Sequence, residues 1–271
     1  MSIFTKKVAA VTGAGSGIGR ALALKLADYG AYLALSDIDE DKVAQTRDLI
    51  QEKGGKAFSQ KVDVASMEEV QAWVKAFETE LGPTDYLFNN AGVTVVDQVI
   101  SQSLEDMHWL MDINFWGVVH GVKAVLPGMR ERGKGHIVNL SSVFGIIAVP
   151  SQSAYNASKF AVRGFSEALI HEEARHGIRV SCVHPGGIQT DIAVNARYRR
   201  NHRGHTDKDK FVALFSKKAK TTAEQAAEVI LKGVKDNKPR ILIGNDARFL
   251  DKLQRLFPVS YRWVLKKMGA I

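Results

Sequence analysis

The chain has 271 residues, of which 45% are hydrophobic and 24% are charged, close to the average composition of globular proteins. This excludes a disordered chain and a fibrous repeat, because both require a strongly biased composition. The net charge of +8 is uneven: eight acidic and nineteen basic residues lie from Asp191 onward, against 21 acidic and 18 basic residues before it. The basic C-terminal third has no nucleic-acid fold signature, so nucleic-acid binding is not expected.

The N-terminal residues run directly into a strand-like stretch, without an apolar signal core or a cleavage site, which predicts an uncleaved cytoplasmic protein. Cys182 is the single cysteine, so no internal disulfide can form, and its apolar neighbours predict a buried thiol. The histidines show no metal-ligand spacing, and no metal is predicted. His184, beside Pro185 at a strand end, is interpreted as structural.

Short apolar segments alternate with helical patterns along the chain. Strands are predicted at 7–12, 32–36, 57–62, 86–89, 135–140, 178–183 and 241–243. Helices are predicted after the first strand and near 41–53, 67–80, 103–131 and 154–176. Strands separated by helices imply right-handed crossovers and a parallel sheet covered on both faces. The predicted fold is therefore α/β: a doubly wound, three-layer, Rossmann-like sheet in a single domain, with ligands at the carboxyl ends of the strands.

A glycine-rich turn follows the first predicted strand, with the pattern G-x-x-x-G-x-G through Gly13, Gly17 and Gly19. Glycines let the backbone approach a pyrophosphate closely, and the following helix presents unpaired N–H groups and its positive dipole end. Asp37 closes the second strand, where a carboxylate accepts hydrogen bonds from an adenosine ribose and repels a 2′-phosphate. This predicts NAD rather than NADP, unless Asp37 is an ordinary turn residue.

Tyr155 and Lys159 are four residues apart in a segment with a helical pattern, and Ser142 lies upstream. Residues four apart share one face of a helix, so the phenol and the ammonium can enter one site. A nearby cation lowers the pKa of a phenol, so that a tyrosine can exchange protons during catalysis. An isolated pair of this kind also arises by chance on helix surfaces, and the other motifs are needed to support the chemistry.

Together these motifs resemble the short-chain dehydrogenase/reductase family over nearly the whole chain. The matching positions are Thr12 with Gly13, Gly17 and Gly19, then Asp63-Val64, Asn89 to Gly92, Asn114, Ser141-Ser142, Tyr155 with Lys159, and Pro185-Gly186. The resemblance implies an NAD-dependent enzyme that moves a hydride between nicotinamide and a carbinol carbon, interconverting a secondary alcohol and its ketone. It also implies a homodimer or homotetramer.

The resemblance further implies roles for individual residues. Tyr155 is the general acid/base, Lys159 lowers its pKa and binds the nicotinamide ribose, and Ser142 orients the substrate oxygen. Asn114 holds a water that links Lys159 to solvent, or it is instead a residue that kinks a helix. The implied cofactor-binding residues are Gly13, Ser16, Gly17, Ile18, Gly19, Asp37, Asp63, Val64, Asn90, Ala91, Gly92, Tyr155, Lys159, Pro185, Gly186, Ile188 and Thr190.

A hydrophobic alcohol or ketone is the expected substrate, because the apolar runs 143–150 and 93–96 border the substrate cleft in this family. About half of these residues are expected in the core instead. The rivals are a 3-oxoacyl thioester or hydroxysteroid oxidoreductase with the same catalytic residues, and a non-catalytic NAD-binding or peripheral membrane protein.

Residues 1–244 are predicted to form the dinucleotide-binding and catalytic domain, which includes a variable substrate loop, and 245–271 are predicted to extend the same domain. The variable substrate loop, 190–220, contains four arginines that either clamp a carboxylate or phosphate or, as we favour, are solvated: Arg197, Arg199, Arg200 and Arg203. The C-terminal extension, 245–271, is basic and amphipathic and is split by Pro258. Packing on a second subunit or on the cleft is its favoured role, and contact with an anionic membrane surface is the weaker alternative.

Overall fold

The structure, a computed structural model, describes residues 2–267. The strands are β1 Val8–Thr12, β2 Tyr32–Asp37, β3 Lys56–Lys61, β4 Tyr86–Asn89, β5 Val95–Val96, β6 Gly135–Leu140, β7 Ile178–Pro185, β8 Arg197–Tyr198 and β9 Arg240–Ile243. The α-helices are α1 Gly17–Asp28, α2 Glu40–Glu52, α3 Met67–Leu81, α4 Leu104–Met111, α5 Gly117–Arg132, α6 Ser153–Glu173, α7 Lys208–Lys218, α8 Ala223–Lys235, α9 Asn245–Leu256 and α10 Tyr261–Lys267.

Seven parallel strands form the central sheet in the order β3-β2-β1-β4-β6-β7-β9. The chain winds outward from β1 through β2 to β3, and then crosses back to β4 on the other side of β1. Ligands of such sheets bind outside the carboxyl ends of the strands, next to the point where the winding reverses. The predicted doubly wound fold is confirmed, and all of its predicted strands are present within three residues of the expected bounds.

Helices cover both faces of the sheet and give three layers. One hydrophobic cluster lies between the sheet and the helices α1, α2 and α8, and it includes Leu22, Ile50 and Ile230. A second cluster fills the opposite face beneath α3, α5 and α6, with Trp73 and Phe77 fully buried. Because both faces are covered, the inner strands carry continuous apolar residues rather than an alternating pattern.

The segment 103–131, predicted as one helix, is divided into three parts. Between α4 and α5 the chain forms one turn of π-helix, Asp112–Trp116, which inserts an extra residue into the helical repeat. Asn114 lies in this turn and is fully buried. Wide turns of this kind occur frequently at functional sites. Apolar periodicity cannot reveal such an insertion, because one turn changes the pattern too little.

Two features lie outside the predicted sheet. β5 and β8 pair in parallel and join the loop after β4 to the segment before α7. The C-terminal extension forms α9 and α10 on the two sides of Pro258, as its position predicts. Among residues 2–267, no helix combines the length and apolar character needed to cross a bilayer. The same residues contain no group of three or more His, Cys, Asp or Glu side chains that could hold a metal ion.

Candidate functional site

The glycine turn lies between the carboxyl end of β1 and the start of α1, and Asn90 braces it. The side-chain amide of Asn90 donates to the backbone oxygens of Thr12 (2.8 Å) and Gly13 (3.1 Å). A Cβ at Gly19 would overlap the Gly13 oxygen and approach the Asn90 amide to 2.5 Å. Gly19 is therefore required for the turn to close on itself, and the motif residues after β1 and β4 meet as expected.

The first turn of α1 leaves its backbone N–H groups available to an anion. Ser16 is the N-cap residue, but its side chain makes no capping hydrogen bond and the first turn carries no acidic residue. By contrast, α2 and α3 are capped by the side chains of Asp39 and Ser66 and have acidic first turns. Unsatisfied N–H groups and the positive helix dipole together favour a phosphate at this position.

Asp37 lies at the carboxyl end of β2 and faces the glycine turn. One carboxylate oxygen accepts the Gly15 N–H at 2.8 Å and the other accepts the Asp39 N–H at 3.1 Å. Lys42 forms an ion pair with Asp39 at 3.0 Å, so a basic side chain also lies on this side of the turn. Asp37 is predicted from the sequence, whereas its neighbours Gly15 and Lys42 carry no sequence signal of their own.

Ser142, Tyr155 and Lys159 converge at the carboxyl end of β6. All three are more than nine-tenths buried, and the Lys159 ammonium lies 5.7 Å from the centre of the Tyr155 ring. The ammonium donates a hydrogen bond to the Leu140 carbonyl oxygen at 3.0 Å. Helix α6 thus presents both side chains on one face, as their spacing predicts, and β6 supplies the backbone that holds the lysine.

The electrostatics of the pair differ from the expectation. Burial raises the pKa of the Tyr155 phenol above its ordinary value, and the nearby Ser142 hydroxyl opposes this effect. Burial also lowers the pKa of Lys159 from 10.5 to about 8. The predicted lowering of the tyrosine pKa by Lys159 is therefore wrong for the protein chain alone, because removal from water dominates both groups.

The two serines at the end of β6 have different partners. The Ser141 hydroxyl donates to the Lys159 carbonyl oxygen at 2.7 Å, so its proton is already used within the fold. The Ser142 oxygen accepts the Phe144 N–H at 3.1 Å, a bond that does not use its own proton. Ser142, and not Ser141, can therefore donate to a ligand oxygen. His184 is fully buried and its Nδ1 lies 3.0 Å from the Ser142 carbonyl oxygen, in agreement with a structural role.

Asn114 fixes the chain beside the lysine. Its side chain accepts the Val93 N–H at 2.8 Å and donates to the Val93 carbonyl oxygen at 2.9 Å and to the Ser158 hydroxyl at 3.2 Å. Gly92 lies between the two polar groups, because a Cβ there would be 3.2 Å from the Asn114 oxygen and 3.4 Å from the Lys159 nitrogen. Asn114 and Lys159 therefore face the same small space.

The remaining predicted cofactor residues line the same edge of the sheet. Pro185 ends β7, and Thr190 extends toward α1, because a Cβ at Gly17 would lie 3.1 Å from the Thr190 methyl group. Ile188 is buried and pairs with Thr221 through an isolated bridge. On the other side of β1, Asp63 closes a short turn by accepting the Ala65 N–H at 2.9 Å. Val64 is buried and contacts α5, and the half-buried Ala91 contacts the glycine turn.

Apolar side chains surround the Tyr155 ring. Val93, Phe144 and Ile192 pack in its cluster, and the Phe144 ring meets the tyrosine edge to face at 6.3 Å. By contrast, Val143, Ile146 and Ile147 pack beneath the C-terminal helices, so about half of the run 143–150 is core, as expected. A cavity of about 440 Å³ opens nearby, but Tyr155 and Ser142 do not line it: its walls include Gln98, Val149, Pro150, Asn156 and His202.

The arginines of the substrate loop are solvated only in part: Arg199, Arg200 and Arg203 are exposed, as predicted, whereas Arg197 is half-buried. Arg197 binds the buried Asp106 at 2.8 Å and lies 3.6 Å above the Trp109 ring. Arg199 reaches the same carboxylate at 3.4 Å, and Arg200 lies 3.9 Å from the buried Asp97. These carboxylates are between 91 and 103 positions away in the sequence, so the charge pattern of the loop could not reveal them.

Two supporting residues, Thr12 and Ser158, were given no role from the sequence. The Thr12 hydroxyl accepts the N–H groups of Asn90 and Ala91, which joins the ends of β1 and β4. Ser158 links Asn114 to the Tyr155 carbonyl oxygen, to which its hydroxyl donates at 2.9 Å. Both are small polar residues inside recognised motifs, and their position there was the only available signal. Cys182 is buried as predicted, and burial raises its pKa to about 12.

Comparison with known proteins gives consistent matches. Residues 7–201 match the protein family described as short chain dehydrogenase. SadH of Mycobacterium tuberculosis, named as an oxidoreductase, is 46% identical over 265 residues, which are 97% of this chain and 95% of SadH.

Solved structures agree with the sequence matches. A short-chain dehydrogenase/reductase from Burkholderia phymatum, determined in complex with NAD, is 33% identical, with a TM-score of 0.86 over 94% of this chain and 95% of its own. Levodione reductase is 30% identical, with a TM-score of 0.80 over 90% of this chain and 99% of its own.

Proposed function

The chain belongs to the short-chain dehydrogenase family, a family of oxidoreductases, and on that premise we propose that it interconverts a hydrophobic secondary alcohol and its ketone with NAD as cofactor. The observation that carries the proposal is the shared burial of Ser142, Tyr155 and Lys159 next to Gly92, on the sheet edge that also holds the glycine turn.

NAD, when bound, accepts or supplies the hydride at C4 of its nicotinamide. The uncapped first turn of α1, at Ser16 to Gly19, would hold the pyrophosphate. Asp37 would accept hydrogen bonds from the adenosine ribose and disfavour a 2′-phosphate. Asp63 and Val64 would contact the adenine, and Asn90 to Gly92 would line the middle of the cleft. The segment from Pro185 to Thr190 would hold the carboxamide.

The protein side chains handle the proton. With its pKa raised by burial, Tyr155 keeps its proton at neutral pH and can donate it to the oxygen of a ketone as the new C–H bond forms. The hydroxyl proton of Ser142 would hold that oxygen and stabilise its developing negative charge. Lys159 would bind the nicotinamide ribose, and Asn114 would hold a water that passes protons to it from solvent.

The apolar neighbours of Tyr155 support a hydrophobic substrate. Val93, Phe144 and Ile192 offer no charge or hydrogen-bonding group from their side chains to a polar substrate. The loop arginines Arg197 and Arg199 already bind Asp106, which weighs against a clamp for a coenzyme A thioester.

The test is turnover of Tyr155→Phe over a panel of secondary alcohols and ketones. We expect its rate to fall about 10³-fold, while NADH binding, followed by fluorescence, stays within about threefold. Tyr86→Phe is the matched control, since Tyr86 lies at the opposite end of β4. Unchanged turnover in Tyr155→Phe would contradict the role of the phenol, and tighter binding of NADPH than of NADH would contradict the cofactor assignment. Tight NADH binding without turnover of any compound would favour a non-catalytic NAD-binding protein.

A further inference from the structure

The C-terminal helices α9 and α10 carry an outward basic surface. Between Asn245 and Lys267 the chain has two acidic and six basic residues. Asp246 accepts the Gly187 N–H at 2.8 Å, and the buried Asp251 pairs with Arg240 and Arg255, so both carboxylates are bound within the protein. The six basic side chains are all exposed: Arg248, Lys252, Arg255, Arg262, Lys266 and Lys267.

An apolar tip stands between these basic residues. The tip consists of Leu256, Phe257 and Val259, in the connection between α9 and α10, together with Trp263 on α10, and each is between 52% and 73% exposed. Lys252 precedes Leu256 by one helical turn, and Lys266 follows Trp263 by three positions on α10, so cations flank the tip along both helices. Exposed aliphatic and aromatic residues flanked by Lys and Arg are typical of surfaces that enter a lipid headgroup layer.

We propose that the tip inserts into the headgroup region of an anionic phospholipid bilayer, while the surrounding lysines and arginines contact lipid phosphates. A second copy of this chain fits the surface less well, because a twofold contact would place six cations opposite six cations. An acidic nucleic acid or protein would match the charge but provides no apolar phase for four exposed apolar side chains.

Among the roles left open for this extension by the sequence are packing on the cleft and contact with a membrane, and different residues of the extension are available for each. Leu265 and Tyr261 pack on the segment after Ser142: Leu265 is 2% exposed among Val143, Ile146 and Ile147, and the Tyr261 hydroxyl accepts the Ala148 N–H at 3.4 Å. The inner face of α10 therefore packs on the segment after Ser142, and the tip lies on the exposed part of the extension. This inference rests on the exposed residues of α9 and α10 and not on the proposed enzymatic function. A failure of vesicle binding and a failure of turnover can therefore be told apart.

The test is sedimentation of the full chain with vesicles of phosphatidylcholine alone or with about one third phosphatidylserine. We expect binding to the anionic vesicles that weakens as salt is raised, and little binding to the neutral ones. A tip variant with Leu256→Ser, Phe257→Ser and Trp263→Ser should lose at least about tenfold in partitioning. A charge variant with Lys252→Gln, Arg262→Gln and Lys266→Gln should lose about 100-fold, since each basic residue near the surface contributes about fivefold.

The matched control is Val99→Ser with Ile100→Ser, which removes exposed apolar side chains elsewhere and should bind like the unmodified protein. All substituted side chains are exposed, so the circular dichroism spectra and thermal transitions should be unchanged. Absence of binding to anionic vesicles, or equal binding by the tip variant and the control, would overturn the proposal. A concentration-dependent dimer that the tip variant abolishes, without vesicle binding, would also overturn it and assign the surface to a second copy.

Discussion

Lys159 is a buried cation whose position costs stability. Its side chain is 4% exposed, its ammonium has the Leu140 carbonyl oxygen as partner, and burial lowers its pKa from 10.5 to about 8. A lowering of this size means that folding disfavours the charged ammonium, relative to the neutral amine, by roughly 3 kcal/mol. Lys159, to which the proposed function assigns the nicotinamide ribose, is thus held at the expense of folding stability.

Lys159→Met should therefore stabilise the chain in the absence of NAD. Below pH 8 the unmodified protein bears the full cost, and this cost disappears as pH rises from 8 to 10.5, where the unfolded lysine also loses its proton. After allowance for the lost hydrogen bond to Leu140, we expect the free energy of unfolding to increase by about 2 kcal/mol at pH 7. The gain should shrink toward pH 10.5.

Urea denaturation at pH 7 and pH 10 measures this difference. Lys123→Met, at an exposed lysine of α5, is the control and should show no such pH dependence. A variant that is less stable than the unmodified protein at pH 7, or a gain that does not change with pH, would contradict the account.

Lys159 also shows which part of the site the sequence motif can predict and which part it cannot. Its spacing to Tyr155 predicts that the two side chains meet. The direction in which each pKa shifts depends on how deeply the group is buried, and a local sequence pattern does not give the burial.

At the scale of elements, the strands of the central sheet were predictable from the sequence, whereas the pairing of β5 with β8 and the attachment of the substrate loop were not. Most strands of the sheet are short apolar runs between turn residues, and this signal is local. The pairing of β5 with β8 depends instead on contacts between distant segments. Asp106 on α4 binds Arg197 and Arg199, and Trp109 supports the Arg197 guanidinium from below. The arginines therefore fasten the substrate loop to α4.

Asp106→Asn should loosen this loop. The substitution removes a buried carboxylate and leaves two guanidinium groups without their shared charge partner, which should lower the free energy of unfolding by about 1–3 kcal/mol. Trypsin cleavage after Arg199, Arg200 or Arg203 should become faster in the native protein. The control is Asp209→Asn, at an exposed carboxylate in the first turn of α7. Equal cleavage rates in the two variants would show that the ion pairs do not hold the loop.

At the scale of the whole molecule, the change in net charge along the sequence does not coincide with the boundary between buried and exposed residues. The net charge is about −3 before Asp191 and about +11 from there onward, and the sequence alone reveals this. It does not reveal that α10 packs on the segment after Ser142, because that contact joins residues more than one hundred positions apart. The extension is therefore basic and exposed on one side and part of the core on the other.

Leu265→Ala tests whether the extension folds together with the remainder of the chain. Leu265 is buried among Val143, Ile146 and Ile147, which belong to the segment that follows β6, so the cavity should destabilise the whole protein by about 3 kcal/mol. Urea denaturation followed by circular dichroism should then show one transition at a lower midpoint. Leu256→Ala is the matched control: the same change in the same extension at a side chain 73% exposed should alter stability by less than about 0.5 kcal/mol. An unchanged midpoint in Leu265→Ala, with faster trypsin cleavage at Arg262, would instead mean that α10 opens separately from the core.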